Sequence, residues 1–159
     1  MTRPVLTLDL ATRSGWAYRS SSGAVTSGAV DFKARGKEDK DRARLRAIEA
    51  WLPLALAPLA QGRGDLVYEL TGFGHHSSIR ISAHLEALLL RAADAFGIPP
   101  GDTYRYSPQK GKQAATGKGN ASKAEVLEAM AARWDLPELD DEDRADALAL
   151  LTHHLEVEG

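Results

Sequence analysis

Four acidic residues of this sequence stand where the surrounding pattern is apolar. Asp9 lies within the first apolar run, and Glu69 lies near the end of the short apolar stretch LVYEL. Asp143 and Asp146 are three residues apart, so on a helix they project from one face, and the leucines that follow place this face against the core. A carboxylate among aliphatic side chains is costly to bury unless it has a partner, a cation or a solvent-filled cleft.

These acids also have purely structural interpretations. Asp9 could cap or turn the small-residue stretch Ala11–Gly15, and Asp143 could favour the dipole of a helix N-terminus. Asp146 lies too deep in that helix for the second explanation. Closely packed carboxylates cannot all stay ionised unless positive charge lies among them. Two Mg²⁺ ions supply such charge, and they can activate a water molecule and neutralise the leaving oxygen of a phosphodiester.

The composition limits the class of protein and the kind of metal site. The chain has 159 residues, which suits a single domain over residues 1–159, and it has no cysteine. A disulfide framework and a thiolate metal site are therefore excluded, and oxygen or histidine ligands suit Mg²⁺ or Mn²⁺. No apolar stretch reaches the roughly 18 residues of a membrane span, and Asp9 interrupts the first apolar run before it reaches the length expected of a signal-peptide core. We expect a cytoplasmic protein that binds no membrane.

The charge is distributed unevenly, although the formal net charge is only −2. Residues 103–124 contain five basic residues and no acid, whereas residues 135–146 contain seven acids and one base. This segregation suits a protein that binds a polyanion with one surface and divalent cations with another. Solvated charge runs are common in proteins, so the pattern by itself is modest evidence.

The hydrophobic pattern predicts an α/β fold. Three consecutive strands followed by alternating helices and strands predict a mixed five-stranded sheet with helices on both faces. A capping box at Ser122 and Glu125 predicts a helix start, and the Gly- and Lys-rich stretch Ser107–Asn120 is predicted to be a loop. The predicted elements are a strand containing Val5, Leu6 and Leu8, strands Gly15–Arg19 and Ala24–Phe32, a helix over 37–60, a strand Leu66–Leu70, a helix over 77–97, a strand Asp102–Tyr106, a helix from Ser122 to about Trp134 and a last helix from about 140 through Leu155.

Several stretches, in this order, resemble RuvC-type Holliday junction resolvases of the RNase H-like fold. They are LDLATRSGWA, VYEL, QAATGKGNASKAEV and DRADALALLTHH, and together they extend over nearly the whole chain. The most specific are residues 112–126, where TGxGxAxK precedes a helix, and the DxxDAL of residues 143–148. The resemblance implies an RNase H-like sheet. It also implies that four acids hold two Mg²⁺ ions, with Mn²⁺ as a possible substitute, and these acids are Asp9, Glu69, Asp143 and Asp146.

The resemblance further implies a DNA-contacting stretch that contains Lys112, Thr116, Gly117, Lys118, Gly119 and Lys123. The residue types agree, because the glycines let backbone N–H groups approach a phosphate and the lysines supply charge without base specificity. A surface linker is the alternative. The family usually has a bulky aromatic residue after its second acid. Here Phe73 lies one position later than expected, beside glycines, and it is either a wedge that enters the junction or an ordinary loop residue.

The resemblance therefore implies a Mg²⁺-dependent endonuclease that resolves four-way DNA junctions by symmetric paired nicks, and this is the function that we expect. The resemblance implies a homodimer, and we expect its interface on the apolar face of the helix over 77–97. The leucines of this face also suit a core. One alternative is a related nuclease for forks, flaps or RNA-containing duplexes, since loops choose the substrate. Another is a catalytically inactive junction-binding subunit, against which the retention of all four acids argues. A sugar-kinase or actin-like phosphotransferase would need a second lobe, for which this chain has no room.

The leucines expected at the homodimer interface, on the helix over 77–97, are Leu85, Leu88, Leu89 and Leu90.

Overall fold

The computed structural model describes residues 1–33, 39–70 and 76–159. Its five strands are β1 (Val5–Leu10), β2 (Arg13–Arg19), β3 (Val25–Asp31), β4 (Asp65–Leu70) and β5 (Thr103–Tyr106). They form one sheet in the order β3-β2-β1-β4-β5. The first three strands are an antiparallel meander, whereas β4 pairs in parallel with both β1 and β5. The predicted mixed five-stranded sheet is confirmed.

Within the described ranges, five α-helices accompany the sheet, and two short 3₁₀ turns lie at Ala57–Gly62 and Pro100–Asp102. The helices are α1 (Lys40–Leu56), α2 (His76–Ala95), α3 (Pro108–Thr116), α4 (Lys123–Arg133) and α5 (Glu142–Glu158). None of these described helices is long and apolar enough to cross a membrane.

Helix α3 corrects the prediction that Ser107–Asn120 is a loop. Pro108 stands in the first turn of the helix, where its fixed φ is favourable, and Gly117 ends the helix with φ 81°. Gly111 is buried where α3 packs on α5, since a Cβ there would lie 3.5 Å from the backbone nitrogen of Leu150. The helix forms in spite of this glycine because α3 packs along α5, a contact between distant parts of the chain that the composition does not reveal.

The alternation of side chains along β1 divides the core into two layers. Leu6, Leu8 and Leu10 pack on one face of the sheet with residues of α1 and α2. Val5 packs on the other face with residues of α4 and α5, and there Thr7 Oγ1 donates a hydrogen bond to the Ala147 carbonyl oxygen at 2.8 Å. The predicted helices on both faces are confirmed, and α5 lies directly against the centre of the sheet.

Two leucines of the expected dimer interface are core residues. Leu85 and Leu89 are buried with the side chains of β1, and Leu88 packs against the same cluster. Leu90 is 39% exposed. An interface through Leu85 and Leu89 is therefore wrong, because their helical spacing serves the internal core of the chain.

Candidate active site

The carboxyl-terminal ends of β1 and β4 and the first turns of α5 meet at one end of the sheet. Asp9 and Glu69 are register partners on these parallel strands, so their side chains share a face. Asp9, Asp143 and Asp146 each offer a carboxylate oxygen, and these three oxygens lie within 4.8 Å of one another. Glu69 lies alongside, since it lines a small cavity together with Asp146 and Lys112. The structure thus brings together all four acids singled out in the sequence.

Two features of the chain place the start of α5 beside Asp9. Asp141 caps the helix, and its Oδ1 accepts hydrogen bonds from the backbone N–H groups of Asp143 and Arg144, each at 3.0 Å. Gly15, the register partner of Asp9, lies under the same turn, because a Cβ at this position would be 1.8 Å from the Asp143 carbonyl oxygen. The glycine six residues after Asp9 therefore provides the space in which α5 reaches the sheet.

Burial makes the negative charges of this cluster costly. The pKa of Asp9 is raised well above its usual range by burial first, and then by the charges of Glu69, Asp146 and Asp143. Burial and the Asp146 charge raise the pKa of Glu69 to about 7, against the effect of nearby lysines. Burial also raises the pKa of Asp146. A cation among these oxygens would favour the ionised carboxylates.

Two basic side chains contact the acids of the cluster or of its helix cap. Lys123 Nζ lies 3.5 Å from Asp146 Oδ2. Arg13 binds both Asp141 and Asp143, and its guanidinium lowers the pKa of Asp141 to about 2. Neither Arg13 nor Asp141 is among the site residues predicted from the sequence. The position of Arg13 four residues after Asp9 was a weak signal, and its acidic partners are 128 and 130 residues away.

One atom in the cluster indicates that a cation fits there. Asp9 Oδ1 is buried and has no hydrogen-bond partner in the part of the chain that the structure describes. A buried carboxylate oxygen normally has such a partner, and a metal ion can take that role. All the candidate ligands are carboxylate oxygens, which suits Mg²⁺ or Mn²⁺ better than a soft metal.

The candidate DNA-contacting residues form a connected surface from α3 to α4. Lys112 and Thr116 lie on α3 and Lys123 begins α4, while Lys118 and Gly119 lie between the helices. Thr116 Oγ1 accepts a hydrogen bond from the Lys118 backbone N–H at 3.1 Å, which fixes the turn after Gly117. This turn joins the two helices that carry Lys112 and Lys123. Both lysines lie beside the acids, since Lys112 lines the cavity of Glu69 and Asp146 and Lys123 contacts Asp146. Phe73, the candidate wedge, falls outside the described residues.

Comparison with curated proteins finds similarity to RuvC. The chain is 41% identical over 70 residues to the crossover junction endodeoxyribonuclease RuvC of Chlamydia trachomatis serovar L2, a match that covers 42% of this chain and 39% of that protein. It is 32% identical over 83 residues to the RuvC of Citrifermentans bemidjiense, covering 52% of this chain and 48% of that protein. The matches thus span less than half the length of these relatives. No family model matches the chain.

Comparison with solved structures extends the similarity over the whole fold. Thermus thermophilus RuvC in complex with a Holliday junction substrate superimposes with a TM-score of 0.72 at 24% sequence identity, covering 97% of this chain and 93% of that chain. The yeast mitochondrial Holliday junction resolvase Ydc2 gives a TM-score of 0.58 at 14% identity, covering 96% and 77%. The resemblance to RuvC seen in the sequence is confirmed. The chain has the RNase H-like fold of RuvC, and its sequence is similar to RuvC crossover junction endodeoxyribonucleases.

Proposed function

We propose that this chain is a divalent-metal-dependent endonuclease that resolves four-way DNA junctions. The observation that supports this most directly is the buried, unpartnered Oδ1 of Asp9 in a cluster with the carboxylates of Asp143 and Asp146. A purely structural acid would have its oxygens hydrogen-bonded. The names of the curated relatives and the Holliday junction bound to Thermus thermophilus RuvC support the choice of substrate.

The four acids are the proposed ligands of two Mg²⁺ ions, with Mn²⁺ as a substitute. When bound, such ions activate a water molecule and stabilise charge on the leaving oxygen of the phosphodiester. The strands β1 and β4 fix Asp9 and Glu69 in the sheet, while α5 fixes Asp143 and Asp146 on one side of a helix. Carboxylates from two strands and one helix are thereby held in place before the substrate arrives.

The surface from α3 to α4 is the proposed binding site for the DNA backbone. Lys112 and Lys123 place positive charge beside Glu69 and Asp146, which reduces the repulsion between the acids and an approaching phosphate. Lys118 adds charge in the turn between the two helices. Lysine contacts to phosphate carry no base information, so this surface selects the shape of the DNA rather than its sequence.

A homodimer is the proposed assembly. A four-way junction has two-fold symmetry, so two copies of one active site can cut two equivalent strands. Hydrolysis that leaves a 5′-phosphate and a 3′-hydroxyl at each cut gives nicks that a ligase can seal.

The test is cleavage of a labelled mobile four-way junction in parallel with a flap, a fork and an RNA–DNA hybrid, with and without Mg²⁺. We expect metal-dependent cutting of the junction. Asp146→Asn should abolish cutting and keep junction binding, whereas Asp140→Asn, an exposed acid of the same segment, should change neither. Lys118→Ala should weaken binding and reduce the log–log salt slope by about one.

Each contrary result points to a different alternative. Preferential cutting of the flap, fork or hybrid would assign the chain to the related nucleases. Junction binding with no cutting in the presence of Mg²⁺ would indicate an inactive binding subunit. Loss of binding together with cutting in Asp146→Asn would assign that residue a structural role.

A further inference from the structure

We infer that Arg13 is a positioning residue of the acidic cluster, anchored by Asp141 and holding the carboxylate of Asp143 in place beside Asp9 and Asp146. The inference rests on the proposed function, because it concerns the same cluster.

The guanidinium of Arg13 binds two carboxylates at once. Its Nη1 donates to Asp141 Oδ1 at 2.9 Å and to Asp143 Oδ2 at 2.5 Å, and its Nη2 donates to Asp141 Oδ2. The contact with Asp141 is bidentate, which fixes the plane and direction of the guanidinium. Arg13 is the first residue of β2 and pairs with Asp31 of β3, so its backbone is also fixed.

Asp141 closes this arrangement into a ring of contacts. The Oδ1 atom that binds Arg13 also accepts the backbone N–H groups of Asp143 and Arg144. The start of β2, the cap of α5 and the side chain of Asp143 are thereby connected to one another. Asp143 belongs to the first turn of α5 and its side chain is 26% exposed, so packing alone restrains it less than it restrains the buried Asp9.

The positive charge of Arg13 would repel a metal ion at the cluster if the charge of Asp141 did not balance it. Asp141 carries one negative charge and Arg13 one positive charge, so the pair adds no net charge next to the cluster. The negative charge of Asp143 remains for the shared site. A partner that orients a metal ligand through its second oxygen typically changes metal affinity by about 10–100-fold.

The test measures binding of Mn²⁺ by isothermal titration calorimetry in the absence of DNA, together with urea unfolding of the metal-free protein. We expect Arg13→Ala to weaken Mn²⁺ binding by about tenfold or more. Arg13→Lys should recover part of the loss, because one ammonium cannot repeat the bidentate contact. Arg144→Ala is the matched control. Its guanidinium contacts Ser27 and Glu138 and not the acidic cluster, so Mn²⁺ binding should not change.

Asp141→Asn gives a second measurement should Arg13→Ala fail to fold. Asparagine also caps helices, but it removes the charge that anchors Arg13, so a weaker loss of Mn²⁺ affinity is expected. Wild-type affinity in Arg13→Ala, or in Asp141→Asn where the first variant is unfolded, would overturn the inference and leave the proposed function standing. A wild-type protein that binds no Mn²⁺ would overturn both.

Discussion

Replacing Gly15 by alanine tests whether the close packing of α5 on β2 determines the distances between the carboxylates of the acidic cluster. A Cβ at residue 15 would lie 1.8 Å from the Asp143 carbonyl oxygen and 2.4 Å from its carbonyl carbon. Since Cβ atoms keep at least 3.0 Å from such neighbours, the first turn of α5 has to move by about 1.2 Å. Asp9 is held by two neighbouring strands and cannot follow, so the Asp9–Asp143 separation changes.

The expected cost is larger for function than for folding. Overpacking of this kind typically costs about 1–3 kcal/mol, which a folded domain can tolerate. A displacement of about 1 Å at a reacting centre can lower the rate about 100-fold. We therefore expect Gly15→Ala to remain folded and to lose about 100-fold in single-turnover junction cleavage, with weaker Mn²⁺ binding by calorimetry.

The matched control is Gly28→Ala on β3. A Cβ there would meet the ring of Trp16 at 2.9 Å, so it also overpacks the sheet, but its closest neighbours are not in α5. We expect a smaller loss of stability in urea than in Gly15→Ala, because the Trp16 side chain can shift more easily than the backbone of α5, and we expect wild-type Mn²⁺ affinity. Cleavage at the wild-type rate in Gly15→Ala, or an equal loss of metal binding in Gly28→Ala, would refute the reasoning.

Two further predictions concern buried ionisable groups. Burial raises the pKa of Glu69 from 4.5 to about 7, so its contribution to the stability of the metal-free protein should fall as pH rises between these values, and Mg²⁺ should reverse the fall. Thermal melts of wild type and Glu69→Gln check this, and identical pH profiles for the two would contradict it. His154→Leu should cost about 1–3 kcal/mol in urea unfolding, because the buried Asp65 loses a partner at 3.1 Å. Asp65→Asn also weakens the contact with Arg3, so the two variants and their combination are compared in a double-mutant cycle, and additive losses would argue against this pairing.

The sheet and most helices could be predicted because their signals are local. Val5, Leu6 and Leu8 mark a strand in the sequence, and the structure shows β1 buried along its whole length. The start of α4 was visible in the same way, since Ser122 Oγ accepts the Glu125 backbone N–H at 3.2 Å, as the capping box predicts. Helix α3 was missed, because Gly111 weakens a helix in isolation and the packing of α3 on α5 is not visible in the local sequence.

The partners of the site residues could not be predicted, because they depend on contacts between distant parts of the chain. Arg13 can bind Asp141 only once the fold has brought the start of β2 next to the N-terminal cap of α5. His154 likewise has partners far away in the sequence, since it is buried between Asp65 Oδ2 at 3.1 Å and the Tyr106 hydroxyl at 3.2 Å. The acids themselves were recognisable, since a carboxylate in an apolar pattern is a local feature.

One row of the sheet connects these observations. Gly15, Asp9, Glu69 and Tyr106 are successive register partners across β2, β1, β4 and β5. Gly15 has no side chain, so α5 can pack closely on the sheet at this position. The next two residues of the row, Asp9 and Glu69, place their carboxylates next to α5. The cluster therefore depends on a residue that contributes no ligand. Moving the glycine by one register position would place a side chain under α5 and separate Asp143 from Asp9, even with all four acids retained.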